Sequence, residues 1–244
     1  MARLKETGAC QGCDLRKGDL KGTSIEGANL EKAMLRDIDA KEVAMPLANL
    51  SRADLRRADL ERSDLNGANL ERSNLAGADL EKANLQDANL GKADLTEADM
   101  ENVQAQGAYF AGATMTNVLA KRASFARANF AGAQMERIRL ERADLSDANF
   151  EKATLVYADL ERADFSGANL QGANLEGARL TRANLTGANL KDARLGDALI
   201  RLANLTGADL SGVSGIDQAI LDEACGDAAT VPPSGLKPPP PCRN

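Results

Sequence analysis

Residues 53–62 read Ala53-Asp54-Leu55-Arg56-Arg57 followed at once by Ala58-Asp59-Leu60-Glu61-Arg62. Outward from this stretch the unit A-(D/N)-L-x-x continues in one register, with Leu, Phe, Met or Ile at almost every fifth position from Leu15 to Leu210. Tiled from Cys13 to Gly212, the unit gives 40 consecutive pentapeptides and covers 200 of the 244 residues. A period of five matches neither an α-helix nor a flat β-strand, so the chain must turn once in each unit. A short fixed period of this kind is typical of a solenoid.

The tandem A-(D/N)-L-x-x units resemble those of the pentapeptide-repeat family, and the likeness extends over about four fifths of the chain. The resemblance implies an all-β fold, a right-handed quadrilateral β-helix in which four pentapeptides form one square coil of 20 residues. It also implies that the Leu and the Ala of each unit point inward while the other three residues face solvent. The repeat then forms about ten coils, each in contact only with its neighbours.

The inward positions exchange volume, as side chains that share one closed core should. Where the Leu position shrinks to alanine, the residue two positions earlier grows, as in the pairs Ile38 with Ala40, Val103 with Ala105 and Val118 with Ala120. The unit of Ile138 and Leu140 is large at both positions. We therefore expect a local bulge or strain there.

A coil of 20 residues predicts columns of stacked side chains along the rod. One column holds asparagines interrupted by Tyr109, which predicts a ladder of amide hydrogen bonds. Its members are Asn29, Asn49, Asn69, Asn89, Asn129, Asn149, Asn169 and Asn189. Inside the same face Phe110, Phe130 and Phe150 should stack in successive coils.

Both ends of the chain depart from the repeat, as a solenoid requires of its caps. We assign 1–12 to an N-terminal cap, with one helical turn over 2–7, and 13–212 to the β-helix. Residues 213–226 form a C-terminal cap, in which Asp217 begins a short helix that continues to Ala224 and in which Ile220 and Leu221 close the last coil. The proline-rich segment 227–244 is expected to be an extended tail.

The four cysteines lie in pairs at opposite ends of the chain, Cys10 with Cys13 and Cys225 with Cys242. One metal ion cannot bind both pairs within a monomer, so we expect no metal site. Cys13 falls at an inward position and is interpreted as a small buried hydrophobe. A disulfide between Cys225 and Cys242 remains open. We expect a cytoplasmic protein if Met1 is the natural start, and a periplasmic or otherwise extracytoplasmic one if a signal peptide is missing from the sequence and this disulfide forms.

Catalysis has little support, because the chain contains no histidine and its carboxylates fall on outward positions of the repeat. We therefore expect neither an enzyme nor a bound cofactor. The net charge of −6 disfavours direct binding to nucleic acid. No apolar stretch is long enough for membrane insertion.

The most distinctive surface feature is a predicted column of five aspartates, Asp19, Asp39, Asp59, Asp79 and Asp99, which we call the acidic stripe. Like charges one coil apart repel by roughly 1 kcal/mol even in water. One interpretation is that a basic column screens the stripe, together with neighbouring glutamates, in a lattice of ion pairs. The basic column is Arg62, Lys82, Arg122, Arg142, Arg162 and Arg182, and the glutamates are Glu61, Glu81, Glu141 and Glu161.

In a second interpretation the stripe imitates duplex DNA and binds a type II topoisomerase such as gyrase, as the family resemblance allows. The stripe ends early, because Leu119, Arg139 and Arg179 replace aspartate in its column. A third interpretation is an interaction rod that binds a protein partner, as yet unknown, through exposed apolar residues. These are Leu47, Tyr109, Leu119, Val156, Tyr157, Leu199 and Leu202. We favour a non-catalytic structural or protein-interaction scaffold, monomeric or weakly homo-oligomeric, and keep topoisomerase modulation as the alternative.

Overall fold

The computed structural model describes Leu4 and residues 8–242. Parallel β-bridges join each bridging residue to the one 20 positions later, from Ala9 with Asn29 to Arg194 with Ser214. Each pentapeptide contributes one bridging residue and one turn, so four pentapeptides make one four-sided coil. Through the repeat the described sides are isolated bridges, and none extends into a longer strand. The structure thus has the predicted coil length.

Every backbone N–H of the unit 53–57 has a partner. Four bond to backbone oxygens: Ala53 to Leu50, Asp54 to Ala33, Leu55 to Asn74 and Arg57 to Ala76. The first of these closes the turn, and the other three join the coil to its two neighbours. The fifth, the N–H of Arg56, donates to Oδ1 of Asp54 at 3.3 Å. This bond explains the Asp or Asn that precedes each inward leucine, because its side chain satisfies an N–H that no neighbouring coil reaches.

The second residue after each inward leucine adopts positive φ, as Arg57 does at 53° and Gly177 at 66°. Glycine adopts this conformation most easily, and in other residues it causes a modest strain. A larger side chain here leans over the same position of the next coil. A Cβ added to Gly177 would collide with the ring of Tyr157 one coil earlier, whereas a Cβ added to Gly187 would meet nothing within 4 Å.

The core is a column of inward Leu and Ala side chains that runs through all the coils, and the pairs that exchange volume are fully buried. The expected bulge at Ile138 and Leu140 is absent. Both residues are buried, and Arg139 between them keeps its bridges to Leu119 and Asp159. The space comes from the adjacent coils, since Ala120 lies one coil before Leu140 and Ala158 one coil after Ile138.

The two predicted ladders are present. Amide bonds join Asn169 to Asn149 and Asn189 to Asn169, each at 3.0 Å, and longer bonds continue the asparagine ladder. The rings of Phe110, Phe130 and Phe150 are stacked with centroids 4.9 and 4.8 Å apart. Phe125 and Phe165 pack against this stack from the adjacent inward position. The middle coils therefore contain an aromatic core of five rings.

A disulfide between Cys10 and Cys13 closes the first described corner, with the two Cα atoms 5.3 Å apart. The interpretation of Cys13 as a small buried hydrophobe is therefore wrong, since it is a disulfide partner and only partly buried. Cys10 and Cys13 occupy the two inward positions on either side of one turn, which brings their side chains together inside the coil. Leu4 is helical and fully buried, while the rest of the helical turn expected over 2–7 lies outside the described residues.

The C-terminal cap contains the helix α1, Gln218–Leu221. Asp217 is its N-cap, as expected, and its Oδ1 accepts a hydrogen bond from the N–H of Ile220 at 2.9 Å. The sequence pattern predicts that this helix continues to Ala224. In the structure it ends at Leu221. Leu221 is buried against the last coil, and Ile220 is half-buried beside it.

The proline-rich segment is not the extended free tail that its composition predicts. It folds back along the last coil, where Val231 bridges to Asp209 and Pro241 bridges to Gly226. Thr230 is buried, and its hydroxyl donates to the carbonyl of Leu205 at 2.8 Å. The bridges that join the cap to the coil span 21 and 22 residues, so the cap departs from the 20-residue register while still pairing the last edge.

Cys225 and Cys242 are joined by the disulfide that the sequence left open, across a separation of 17 residues. The bond fixes the end of the folded segment to the start of the cap. Prolines cannot donate hydrogen bonds, and the segment has few other backbone bonds. Its position therefore depends strongly on this covalent link.

The contact between coils predicts that Gly177→Ala destabilises the protein more than Gly187→Ala, by about 0.5 to 1.5 kcal/mol, because only the first forces Tyr157 from its rotamer. Both glycines have nearly the same positive φ, so the cost of placing alanine there cancels. Chemical denaturation of the two variants measures the difference. Adding Tyr157→Ala should remove it, and a difference that persists in the double variant would contradict the contact.

The folded tail predicts that replacing Cys225 and Cys242 together by alanine releases 227–242 while the repeat stays folded. A loop of this length contributes about 3 kcal/mol in the chain-entropy description. Limited chymotrypsin digestion should then cleave after Leu236, which is followed by Lys237, much faster than in the wild type. The variant with Cys10 and Cys13 replaced by alanine is the control and should retain the wild-type cleavage rate at Leu236.

Candidate interaction surface

The structure places the acidic stripe in one continuous column. Successive members are joined by parallel bridges, from Asp19 with Asp39 to Asp79 with Asp99. Each aspartate also accepts the N–H of the residue two positions later; for Asp79 the donor is Glu81 at 2.9 Å. The five carboxylates therefore lie on one face of the rod and are held in place by their own backbone.

The stripe carries an electrostatic cost at Asp79, its fourth member. Burial raises the pKa of Asp79 above its ordinary value, and the charges of Asp59, Asp99 and Glu61 raise it further. Asp59 is the stripe member with an ion pair, since Nζ of Lys41 lies 3.2 Å from its Oδ2 and 3.1 Å from Oε2 of Glu61. The screening lattice therefore relieves only part of the repulsion.

The column continues past the stripe through Leu119, Arg139, Asp159, Arg179 and Leu199. We define face A as the residues at positions 19, 21 and 22 and at steps of 20 from them. In its first five coils, 19–102, face A carries nine carboxylates and four cations, a net charge of −5. In its last five coils, 119–202, it carries three carboxylates and eight cations, a net charge of +5. One face of the rod thus reverses its charge at mid-length.

Some charged residues of face A have no ion pair within the described chain. Most of those in the first half are acidic, and all of those in the second half are basic. In the first half the acidic ones are Asp19, Asp39, Asp79, Asp99 and Glu101, and Lys21 is the cation. In the second half they are all arginines, namely Arg122, Arg142, Arg182 and Arg201. These four arginines are exposed, so their charge is available to a binding partner.

Sequence reasoning identified the stripe and the basic column but did not recognise the charge reversal. The basic column was interpreted as a screen for the stripe, although four of its six members, Arg122, Arg142, Arg162 and Arg182, lie in the coils beyond Asp99. The signal that would have revealed the reversal is the sum of charges on one face, taken separately for each half of the repeat.

The exposed apolar residues do not form one patch. Leu47, Tyr109 and Tyr157 are 62%, 46% and 63% exposed, but they belong to three different faces. Leu199 and Leu202 lie together at the end of face A. Leu119 and Val156 are partly buried and contribute less surface than the sequence suggested.

A surface cavity of about 520 Å³ lies near the start of the rod, among Asp14, Arg16, Arg36, Asp37 and other charged residues. The guanidinium of Arg16 bonds to Asp14 and lowers the pKa of that carboxyl to about 2. Such a carboxylate is a poor proton acceptor near neutral pH.

Within residues 8–242 and at Leu4, no group of three or more Cys, Asp or Glu side chains is arranged to hold a metal ion. Neither is there, in the same described part of the chain, a helix with the length and apolar character to cross a membrane.

Comparison with protein families gives one consistent result. The pentapeptide repeat family matches the chain in residues 9–41, 48–87, 63–102, 106–142, 143–182 and 178–214. These ranges contain most of the coils described above. Among curated proteins, none matches the chain.

Several solved structures are similar to this chain. HetL, a pentapeptide repeat protein involved in heterocyst differentiation regulation in the cyanobacterium Nostoc sp. strain PCC 7120, is 31% identical over 85% of this chain and 94% of its own, with a TM-score of 0.48. A pentapeptide repeat protein from the thylakoid lumen of Arabidopsis thaliana is 33% identical over 43% of this chain and 79% of its own, with a TM-score of 0.33. QnrB1, a plasmid-mediated fluoroquinolone resistance protein, is 21% identical over 84% and 88%, with a TM-score of 0.40.

The repulsion around Asp79 predicts that Asp79→Asn stabilises the protein at neutral pH, by no more than about 1 kcal/mol because solvent and salt screen the repulsion. The amide oxygen keeps the bond to Glu81. Asp94→Asn is the matched control, because its column neighbours Asn74 and Thr114 are uncharged. Its stability should change by less than about 0.3 kcal/mol.

The same substitution should change the pH dependence of unfolding. The raised pKa means that folded Asp79 binds a proton more readily than the unfolded chain does. Its stabilising contribution is complete below the ordinary value of 3.8 and is lost as pH rises through the raised value. The advantage of Asp79→Asn over the wild type should therefore grow across that interval in denaturation measured at stepped pH. An advantage independent of pH would contradict the electrostatic origin.

Proposed function

Because this chain belongs to the pentapeptide repeat family, we propose that it is a non-catalytic solenoid that acts as a structural or protein-interaction scaffold. The observation that carries the proposal is the regular outward surface, whose charges are arranged by coil and by face. A solenoid of this kind presents flat, extended surfaces to other macromolecules. We take the coil as right-handed, the hand that parallel crossover connections adopt almost without exception.

The positions of the carboxylates support a non-catalytic role. Along the repeat most outward Asp and Asn side chains accept a backbone N–H from their own unit, as Asp54 does from Arg56. A carboxylate used in this way is fixed in a structural role and exposed to solvent. General acid–base catalysis instead uses groups whose pKa is tuned in a pocket, and the sequence supplies no histidine for it.

The alternative, modulation of a type II topoisomerase by DNA mimicry, draws support from the acidic stripe itself. Five aspartates spaced by one coil cover about 20 Å along the rod, which is short for a duplex imitation. Beyond Asp99 the same face becomes basic, and a basic surface would repel the positively charged DNA channel of such an enzyme. We therefore rank this alternative below the scaffold.

We also propose that the protein resides in an oxidising compartment. Disulfides at Cys10–Cys13 and Cys225–Cys242 support this, since such bonds persist mainly outside the cytosol. Free-thiol labelling of the protein in intact cells would test it.

Affinity capture from extract of the source cells, with wild type, Tyr157→Ala and Leu47→Ala as baits, tests the scaffold proposal. The two variants remove the most exposed apolar side chains of two different faces. We expect at least one protein to be retained by the wild type and lost from one variant but not from the other. Such selectivity identifies the face that the partner contacts, and each variant controls for the fold of the other.

A gyrase supercoiling assay decides between the scaffold and the alternative. The scaffold predicts no effect of the protein at micromolar concentration. Inhibition or protection that disappears in Asp79→Lys, but not in Asp94→Lys, would instead establish the topoisomerase role.

The affinity capture has its own contradicting outcome. Retention of the same proteins by the wild type, Tyr157→Ala and Leu47→Ala would contradict recognition through either tested face.

A further inference from the structure

We propose that face A is a self-association surface on which two copies of this chain pair side by side in antiparallel orientation. The partner is a second copy because face A is complementary to itself. Its first half has a net charge of −5 and its second half +5. Reversing one rod against another places each acidic half on a basic half. The inference goes beyond the scaffold role and requires no other protein.

The charge pattern has the symmetry of a twofold interface. In a closed dimer of this type the same patch serves both copies, and every contact occurs twice. An axis that crosses face A between the coils of Asp99 and Leu119 exchanges the two halves, since five coils lie on each side. It superposes each acidic half, about 24 Å long, on the basic half of the other copy.

The complementarity is strongest where the axis passes. The coil of Asp99 and Glu101 carries two carboxylates on face A and no cation, while the next coil carries Lys121 and Arg122 and no carboxylate. In the antiparallel pair each of these coils lies opposite the other. The centre of the interface thus sets a charge of −2 against +2 on both sides of the axis.

With the axis in the plane of contact, each column of face A faces itself in reverse. Asp39 then lies opposite Arg179 of the second copy, Asp79 opposite Arg139, and Glu101 opposite Lys121. Asp79, which has aspartates on both sides of it in the stripe, thereby gains a facing cation from the second copy.

Four facing positions have opposite charge, and six have like charge: Lys21 with Arg201, Asp59 with Asp159, Glu61 with Glu161, Arg62 with Arg162, Glu81 with Glu141 and Lys82 with Arg142. Glu61 lies opposite Glu161 of the second copy, but each already bonds to cations of its own rod. The attraction is therefore carried by the charge of whole coils: from the axis outward the facing coils carry −2 and +2, −1 and +1, −1 and −1, −1 and +2, and 0 and +1. Arg139, Arg179 and Arg182 each face a carboxylate of the second copy, and the planar group of arginine bonds carboxylates with two parallel N–H donors.

The other three faces do not share this property. Counted in the same way, their two halves differ by at most three charges, whereas those of face A differ by ten. A uniformly acidic partner would bind only the second half of face A, and a uniformly basic partner only the first. A second copy uses the whole face.

An interface of this composition depends on ionic strength. Attraction between exposed charges is screened over about 8 Å at physiological salt, so the pairing should be weak and reversible. Leu199 and Leu202, about 50% exposed at the end of face A, lie opposite Asp19 and Gly22 of the second copy and add no charge to the interface.

Sedimentation velocity of the full chain tests the proposal. We expect a monomer–dimer equilibrium whose association constant falls at least about tenfold between low salt and 0.5 M NaCl. Two charge-reversal variants are compared. The first, Asp79→Arg with Glu101→Lys, reverses charges in the acidic half; the second, Lys121→Glu with Arg139→Asp, reverses their facing partners. Each alone should weaken homodimerisation by about ten- to a hundredfold, as close interfacial charge pairs do.

The decisive measurement is the equimolar mixture of the two variants. In the heterodimer Arg at position 79 faces Asp at position 139, and Lys at 101 faces Glu at 121, so association should return to near the wild-type level. Recovery on mixing also shows that both variants are folded. The control, Asp87→Lys with Glu97→Lys, changes net charge as much as the first variant but lies on other faces, and it should dimerise like the wild type.

Three outcomes would overturn the proposal. They are a wild type that stays monomeric at low salt up to millimolar concentration, a dimer indifferent to both reversals, and two weakened variants that fail to associate when mixed. The last outcome would show that the reversed residues are needed for association but do not face one another.

Discussion

A bonded corner repeated every five residues is the constraint on which the rest of this structure depends. At each corner the carbonyl of the inward leucine accepts the N–H three residues later, and the residue between them that has positive φ turns the chain. The Asp or Asn of the unit satisfies the one N–H that neighbouring coils cannot reach. Because the corner recurs without interruption, the columns, the ladders and the charge pattern all follow from it.

The repeat makes most of the fold predictable from sequence, for a definite physical reason. A fixed interval of 20 residues converts linear order into spatial neighbourhood, so the asparagine ladder and the stack of Phe110, Phe130 and Phe150 follow from residue numbers alone. The bulge expected at Ile138 did not occur, because packing is shared with Ala120 and Ala158 in the adjacent coils. In a solenoid the volume of the inward side chains must be summed over three adjacent coils. Comparing the two inward residues of one unit is not sufficient.

The ends were harder to predict because no repeat fixes their neighbours. Composition suggested an extended tail, but Thr230 and Val231 bond to the last coil, and Cys242 is tied to Cys225. The Cys10–Cys13 bond was missed because this pair was weighed as half of a metal site, although both cysteines are inward residues of one corner. On the surface, the acidic stripe was visible as a pattern of identical residues. The charge reversal of face A was not recognised, because its arginines are divided among three columns and only the sum of charges over the face shows it.

The five phenylalanine rings lie in the middle of the rod, and both disulfides lie at its extremities. In a one-dimensional stack each layer is stabilised only by the layers beside it, so the terminal layers, with one neighbour each, open first. The aromatic layers should therefore be the last to exchange their amide hydrogens with solvent and the first to form during folding. The two disulfides oppose fraying at the ends, where it would otherwise begin. Unfolding then proceeds from both ends of the rod toward the aromatic coils in the middle.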